Sequence, residues 1–215
     1  MARLLFTHSY FYQFDAKQWA TQQPYPPLGT LYAAALMRSN NHEVLLHDSN
    51  LMADETALYP VLEKTNPRYL VLYDDGFNYL TKMCLTTMRE AAFRMAQYAK
   101  QKGCTVIACS SDATDHYQTY LQHGVDYVLH GEGEISLLEL VNTLEKKESP
   151  KDILGVSFVA EIGIRKNPPR PVLNQLDELP PPAWDLIDIA SYRNIWAQSS
   201  REFSLNIATT RGCPF

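Results

Sequence analysis

The chain has 215 residues, of which 46% are hydrophobic and 20% charged, and its formal net charge is -5. This size and composition are typical of a soluble globular protein with one α/β domain and a smaller appendage. The acidic balance offers no basic surface for nucleic acid, and no apolar run is long enough to span a bilayer. We therefore expect a cytoplasmic protein with no nucleic-acid or membrane partner, and its four cysteines fit a reducing compartment.

Five short apolar runs predict β-strands. They are Arg3 to Thr7, His42 to Asp48, Tyr69 to Tyr73, Thr105 to Cys109, and a run that begins at Val125. Helical spacing of apolar residues follows each run: from Leu28 to Leu36, Thr56 to Lys64, Leu80 to Lys100, Thr114 to Gln122, and after Glu134. Strands that alternate with helices predict an α/β fold: a parallel five-stranded sheet, Rossmann-like with the flavodoxin order, covered by helices on both faces.

The composition changes near residue 147, where we place the end of this domain. Residues 148–203 read as a linker with two short strands in GVSFVAEIGIRK and then a proline-rich strap, because six of the 13 prolines lie between Pro168 and Pro182. A short helix is expected from Asp185 to Tyr192 and a further strand from Ser204 to Thr209. The sequence therefore predicts a main domain over 1–147 and a small C-terminal extension.

The segment VDYVLHGEGE, residues 125–134, is the best candidate for a functional loop. Gly131 and Gly133 give the backbone freedom to reverse direction, and Glu132 and Glu134 suit the start of a helix. These residues alone favour an ordinary strand-to-helix turn. The functional interpretation depends on position, because the loop would lie at the carboxyl edge of the sheet, where ligands of this architecture bind.

Several common chemistries of α/β proteins do not match the strand ends. No G-x-G-x-x-G follows the first strand, and the chain contains neither G-x-x-x-x-G-K-[ST] nor G-x-S-x-G. A phosphate-receiving signalling domain needs an acidic pair after the first strand and a lysine after the fifth. This chain has His8-Ser9 and His130-Gly131 at those positions. No histidine pair has zinc-ligand spacing on a helix. The histidines near strand ends, among them His8 and His130, are by default loop residues.

Four segments together resemble a known family, the cobalamin-binding radical S-adenosylmethionine enzymes, and within it the anaerobic magnesium-protoporphyrin monomethyl ester cyclase group. In chain order they are PPLGTLYAAALMRSNNHEVLLHD, VDYVLHGEGE, LDELPPPAWDLIDIASY and TTRGCPF. The resemblance implies that the N-terminal Rossmann-like domain holds cobalamin at the carboxyl edge of its sheet. A barrel with the cluster motif Cys-x-x-x-Cys-x-x-Cys follows in that family. Cys213 resembles the first of these metal-binding cysteines, so residues 204–215 would be the start of a truncated barrel.

The resemblance also implies which loops contact cobalamin, namely those after strands one, three, four and five. The residues expected there are His8, Ser9, Tyr10, Asp75, Gly76, Ser110, Ser111, Asp112, His130, Gly131, Glu132 and Gly133.

The resemblance implies no catalytic residue within the chain itself. In the family three thiolates hold a [4Fe-4S] cluster that binds S-adenosylmethionine, so a chain with one of the three cysteines is expected to be catalytically inactive. The missing barrel of the same polypeptide is then the expected partner. The parent enzyme would carry out methyl transfer or oxidative ring closure on a tetrapyrrole-like or other hydrophobic substrate.

Two departures from the family pattern leave an alternative open. The Asp-x-His-x-x-Gly motif of the wider cobalamin-binding fold is absent after the first strand, which argues against histidine ligation of the cobalt. Ser110-Ser111 replaces the Gly-Gly that relatives often carry, and its side chains either obstruct the nucleotide tail or donate hydrogen bonds to its phosphate. Asp112 would add unfavourable charge near that phosphate. The alternative is a degenerate Rossmann-like module that keeps the fold for structure or interaction and binds no cobalamin.

Overall fold

A computed structural model of the chain describes residues 1–74, 85–199 and 201–208. Its central feature is one sheet in the order β2-β1-β3-β4-β5-β6-β7. The first five strands pair in parallel, and β6 and β7 are antiparallel. The flavodoxin order of the parallel strands is confirmed. The bounds are β1 Arg3–Thr7, β2 Glu43–Leu46, β3 Tyr69–Tyr73, β4 Thr105–Cys109, β5 Tyr127–Leu129, β6 Val156–Ala160 and β7 Gly163–Lys166.

The sheet has seven strands where the sequence predicted five, because a hairpin from the extension joins it. Strand β6 pairs with the outer side of β5, with Leu129 opposite Val156. The two strands in GVSFVAEIGIRK were predicted correctly, but they were assigned to a separate linker. The parallel sheet ends in an unpaired row of backbone groups at β5, and the hairpin satisfies that row.

Eight helices are present within the described residues. They are α1 Ala16–Thr21, α2 Leu28–Ser39, α3 Tyr59–Thr65, α4 Leu85–Gln101, α5 Ser111–Asp115, α6 Tyr117–Gln122, α7 Glu134–Glu145 and α8 Ile189–Trp196. The helix predicted from Thr114 to Gln122 is two short helices, α5 and α6. The predicted start of the long helix at Leu80 lies outside the described residues.

Helices cover both faces of the sheet, as predicted. Successive side chains of a strand point to opposite faces, so Leu4 and Phe6 pack into one core and Leu5 into the other. The first core includes buried residues of α2 and α7, and the second includes residues of α3, α4 and α6. Both faces of the sheet are therefore covered mainly by apolar side chains, which explains the continuous hydrophobic runs of the parallel strands.

The strap runs back over the sheet and ends in α8. Tyr192 and Trp196 of α8 are 1% and 2% exposed, and the indole N–H of Trp196 donates to the Pro24 carbonyl at 2.8 Å. The helix begins at Ile189, four residues later than predicted, after a 3-10 turn at Trp184–Leu186. This helix holds the strap against the loops after β1 and β2.

The strand predicted from Ser204 to Thr209 is wrong for the residues that the structure describes, 204–208. These residues have no regular secondary structure, and the Ile207 side chain is 78% exposed. A strand needs a neighbour for its backbone hydrogen bonds, and alternating apolar residues do not form one alone. Thr209 lies outside the described residues. No helix in the described parts of the chain is long and apolar enough to cross a membrane.

Candidate functional site

The strand order directs attention to one edge of the sheet. From β1 the sheet grows to β2 on one side and to β3, β4 and β5 on the other, so the strand order reverses next to β1. In such sheets the ligand crevice opens at the carboxyl ends of the strands near that reversal. The loops after β1, β3, β4 and β5 all emerge at this edge. The sequence-predicted site residues that the structure describes lie on these loops.

The loop after β1 is buried and its polar groups are satisfied within the protein. His8 is 2% exposed, and its Nε2 lies 2.9 Å from Asp48 Oδ1. The backbone N–H of Ser9 donates to Asp74 Oδ1 at 2.6 Å, and the Ser9 hydroxyl donates to the same carboxylate at 3.0 Å. Tyr10 is also buried. The residues expected after β3, Asp75 and Gly76, lie outside the described residues.

Two buried carboxylates at this end of the sheet differ in their electrostatics. Burial would raise the pKa of Asp48, but the hydrogen bond and charge of His8, helped by the Tyr192 hydroxyl, lower it overall. Burial raises the pKa of Asp74, and the hydrogen bonds from Ser9 offset only part of that effect. Asp48 is therefore held as an anion, and it joins β2 to α8 because Tyr192 donates to its Oδ2 at 2.6 Å.

The loop after β4 carries Ser110, Ser111 and Asp112. Ser110 caps α5, because its Oγ accepts from the Ala113 N–H at 2.8 Å. Ser111 is exposed. Asp112 is buried and accepts two hydrogen bonds from the Arg89 guanidinium, at 2.8 and 2.5 Å. The negative charge that the sequence placed near a ligand phosphate is thus already paired.

The loop after β5 combines a buried histidine with an open glycine. His130 Nε2 lies 2.7 Å from Ser157 Oγ, and its Nδ1 is buried without a hydrogen-bond partner. Burial, together with the charge of Lys166, lowers the pKa of His130 to about 4. Gly131 has φ +68° and nothing within 4 Å of the place where a Cβ would stand. This position presents bare backbone at the edge of the sheet.

The second glycine of this loop has the opposite surroundings. A Cβ on Gly133 would lie 2.4 Å from Cys109 Sγ and 3.2 Å from the Tyr73 ring. Glu132 turns towards the strap, where its carboxylate accepts from the Leu173 N–H at 2.8 Å. Gly133 is therefore required by close packing, while the space beside Gly131 is open.

The Cys109 thiol at this edge is not activated as a nucleophile. Burial raises the pKa of the Cys109 thiol, so the thiol stays protonated near neutral pH and is a poor nucleophile. Within the described ranges no group of three or more His, Cys, Asp or Glu side chains could hold a metal ion. Cys213, the predicted cluster ligand, lies outside those ranges.

Sequence reasoning missed the partners that fix this edge: Arg89, Tyr120 and Tyr192. Tyr120 donates to Asp112 at 2.9 Å from α6. A basic residue on α4 and a tyrosine on α6 gave no local signal of this role, because neither belongs to a recognisable motif. Only the fold brings them to the ends of β2 and β4.

Comparisons with known proteins identify relatives that match most of the chain. The chain is 29% identical over 194 residues to an uncharacterized methyltransferase of Pyrococcus horikoshii, a match that covers 88% of the chain and 39% of the relative. It is 23% identical over 195 residues to the anaerobic magnesium-protoporphyrin IX monomethyl ester cyclase of Synechocystis sp., covering 88% of the chain and 36% of the relative. The chain thus spans under two fifths of the length of either protein. No protein-family model matches it.

Solved structures with the same fold are consistent with these relatives. The cobalamin-dependent S-adenosylmethionine radical enzyme OxsB, with aqua-cobalamin bound, superposes with a TM-score of 0.67 at 16% identity, over 89% of this chain and 26% of that enzyme. The radical S-adenosylmethionine methyltransferase TsrM from Kitasatospora setae, with cobalamin and a [4Fe-4S] cluster bound, gives 0.60 at 15% identity, over 84% and 31%. The resemblance to the N-terminal region of cobalamin-binding radical S-adenosylmethionine enzymes, predicted from the four sequence segments, is confirmed.

Proposed function

We propose that this chain is the cobalamin-binding domain of a radical S-adenosylmethionine enzyme, and that the corrin rests on the carboxyl edge over the ends of β4 and β5. One observation carries the proposal: Gly131 presents bare, open backbone at this edge. A large flat ligand needs such a surface, free of side chains, on a preformed wall. The fold shared with two enzymes whose structures contain cobalamin supports the assignment.

The neighbouring residues are compatible with a phosphate-bearing cofactor. Because Asp112 is paired with Arg89, its charge opposes a phosphate much less than a free carboxylate would. The Ser110 hydroxyl oxygen accepts the hydrogen bond that caps α5, while Ser111 is exposed beside it. In this proposal Gly131 and Ser111 contact cobalamin, and Gly133 and Ser110 hold the two loops in place. Bound cobalamin would supply a cobalt atom able to carry a transferable methyl group.

The reaction of the parent enzyme is a further part of the proposal. One relative is called a methyltransferase and the other a cyclase, so methyl transfer and oxidative ring closure are both retained. Either needs the iron–sulfur cluster and S-adenosylmethionine, for which this chain offers Cys213 as one ligand of three. We therefore expect the chain alone not to cleave S-adenosylmethionine.

A specific observation favours the second candidate, a structural module that binds no cobalamin. His8 and Ser9, which the family resemblance assigns to the cofactor, are 2% and 0% exposed and are hydrogen-bonded internally. This half of the predicted site is therefore filled. The two candidates differ in whether the open β4–β5 half is sufficient to bind the corrin.

Titration with hydroxocobalamin, followed by absorbance and calorimetry, tests the proposal. We expect saturable binding at one site. Gly131→Asn tolerates the left-handed backbone and should retain most of the affinity. Gly131→Trp covers the open surface and should bind at least tenfold more weakly. Circular dichroism checks that both variants fold. Absence of binding by the folded wild-type chain, or equal affinity of the two variants, would contradict the proposal.

A further inference from the structure

Glu132 joins the loop after β5 to the strap. It lies between the open Gly131 and the close-packed Gly133, and the family resemblance implies that it contacts the cofactor. In the structure its Oε2 accepts the Leu173 N–H of the strap at 2.8 Å. The carboxylate that was expected to face the ligand therefore holds a neighbouring segment of the protein.

The strap residues just before Leu173 are anchored on α7 and on the turn before β6. Arg170 Nε donates to Ser136 Oγ at 2.8 Å, and the guanidinium forms an ion pair with Glu139. The Pro168 carbonyl accepts from the Gly155 N–H at 2.7 Å. These contacts bring the strap to the start of α7, which is the helix that follows the loop with Gly131.

The contact with Glu132 is the last support of the strap before a long span. In the described part of the chain, the next backbone hydrogen bond from the strap to the α/β domain runs from the Ala183 N–H to the Leu31 carbonyl, at 3.2 Å. Residues 174–182 lie between these two supports. Without the Glu132 carboxylate, the span would begin directly after Arg170, and the position of residues 171–173 would be less well defined.

An exposed apolar side chain lies beside this contact. Val172 is 64% exposed, and its carbonyl carbon is bonded to the Leu173 nitrogen that Glu132 binds. Because Glu132 directly follows Gly131 in the chain, Val172 lies at the border of the open surface. Cofactor sites are lined mainly by apolar groups, and removal of this side chain from water would favour a ligand that covers it.

We propose that Val172 and Leu173 form the outer wall of the cobalamin site, and that Glu132 is a positioning residue that acts on the cofactor through this wall. Val172 contacts the edge of the bound corrin, while the Glu132 carboxylate holds the wall in place and does not touch the cofactor. The proposal rests on the proposed function, because it requires cobalamin on the Gly131 surface. It adds a segment of the strap to a site that the family resemblance assigns only to the strand-end loops.

A matched pair of valine variants tests the wall. Val172→Ala removes two carbon atoms from the proposed contact and should raise the Kd for hydroxocobalamin about fourfold, since part of that apolar surface is covered on binding. Val159→Ala makes the same change at a residue 62% exposed on β6, away from the strap, and should leave the Kd unchanged. Absorbance titration measures both, and circular dichroism checks that both fold.

Two variants of Glu132 test its indirect role. Glu132→Ala removes the acceptor, so it should weaken hydroxocobalamin binding by a similar factor and speed hydrogen exchange of the Leu173 amide. Glu132→Gln keeps a side-chain oxygen that can accept the same hydrogen bond, and should restore both properties. If Glu132 acts through the wall, Glu132→Ala combined with Val172→Ala should bind no more weakly than Glu132→Ala alone.

The outcomes separate this proposal from the proposed function. Absence of hydroxocobalamin binding by the folded wild-type chain overturns both. Binding by the wild type with the same Kd in Val172→Ala and Val159→Ala overturns the wall alone and leaves the cobalamin site standing. Additive effects of Glu132→Ala and Val172→Ala, or unchanged exchange of the Leu173 amide in Glu132→Ala, would show that Glu132 does not act through the strap.

Discussion

Replacement of Gly133 by alanine tests how tightly the loops after β4 and β5 are packed. The new Cβ would stand 2.4 Å from Cys109 Sγ, whereas non-bonded heavy atoms prefer about 3.5–4.0 Å, so the overlap exceeds about 1 Å. Cys109 and Tyr73, which the Cβ would also approach, are 4% and 5% exposed at the ends of central strands. Neither can withdraw without disturbing the sheet. We expect a loss of about 3 kcal/mol in the free energy of unfolding, at the upper end of overpacking costs.

A double-mutant cycle identifies the cause. Cys109→Ala removes the sulfur atom that the new Cβ would meet, and by itself should cost about 1–2 kcal/mol. In that background Gly133→Ala should cost only about 1 kcal/mol, which leaves a coupling energy of about 2 kcal/mol. Urea unfolding followed by circular dichroism measures all four proteins. If Gly133→Ala destabilises both backgrounds equally, or costs less than about 0.5 kcal/mol in the wild type, the reasoning from this contact is wrong.

Three further predictions concern groups buried near the strand ends. The pKa of His130 is about 4 in the folded chain and about 6.5 when unfolded, so below pH 6.5 only the unfolded state gains the proton and stability falls. Glutamine does not titrate, so His130→Gln lacks this loss. Between pH 7 and pH 4 the free energy of unfolding, measured in urea, should therefore fall by about 3 kcal/mol less in the variant than in the wild type. Equal losses in the two proteins would contradict the lowered pKa. Arg89→Met leaves the Asp112 carboxylate buried without its cation and should cost about 3 kcal/mol in thermal or urea unfolding, and Arg89→Lys should recover part of it. Tyr192→Phe removes a donor to Asp48 and should speed proteolytic cleavage of the strap, while unchanged cleavage would show that other contacts hold it.

The parallel sheet could be predicted from the sequence because each of its strands is buried on both faces. That burial produces a continuous apolar run, and the helices between the runs impose parallel pairing. The place of the β6–β7 hairpin could not be predicted in the same way. Two short alternating strands predict a hairpin but not its neighbour, and only the assembled fold shows that β5 offers a free edge for it.

The candidate site could be predicted to the level of loops but not of side chains. The topology rule placed His8, Ser110 and Gly131 at one edge correctly. Whether each faces a ligand depends on partners far along the chain: His8 meets Asp48 across 40 residues, and Asp48 meets Tyr192 across 144. Such contacts leave no periodic or local trace. Gly131 and Gly133 illustrate the limit, because identical residues two positions apart have opposite surroundings.

The β6–β7 hairpin changes where this protein can be trimmed or grafted. Its residues complete groups of the parallel domain: Ser157 pairs with His130, and the Gly155 carbonyl accepts from the His130 N–H at 2.8 Å. Asn167 then ties the hairpin back, as its amide donates to the carbonyls of Pro150 and Ile153. A chain that ended at residue 147 would lack β6, so the backbone groups on the outer edge of β5 would be unpaired. An unpaired edge strand is exposed to pairing with strands of other copies. We therefore place the smallest transplantable unit at residues 1–196, because α8 also buries Tyr192 and Trp196 against this domain.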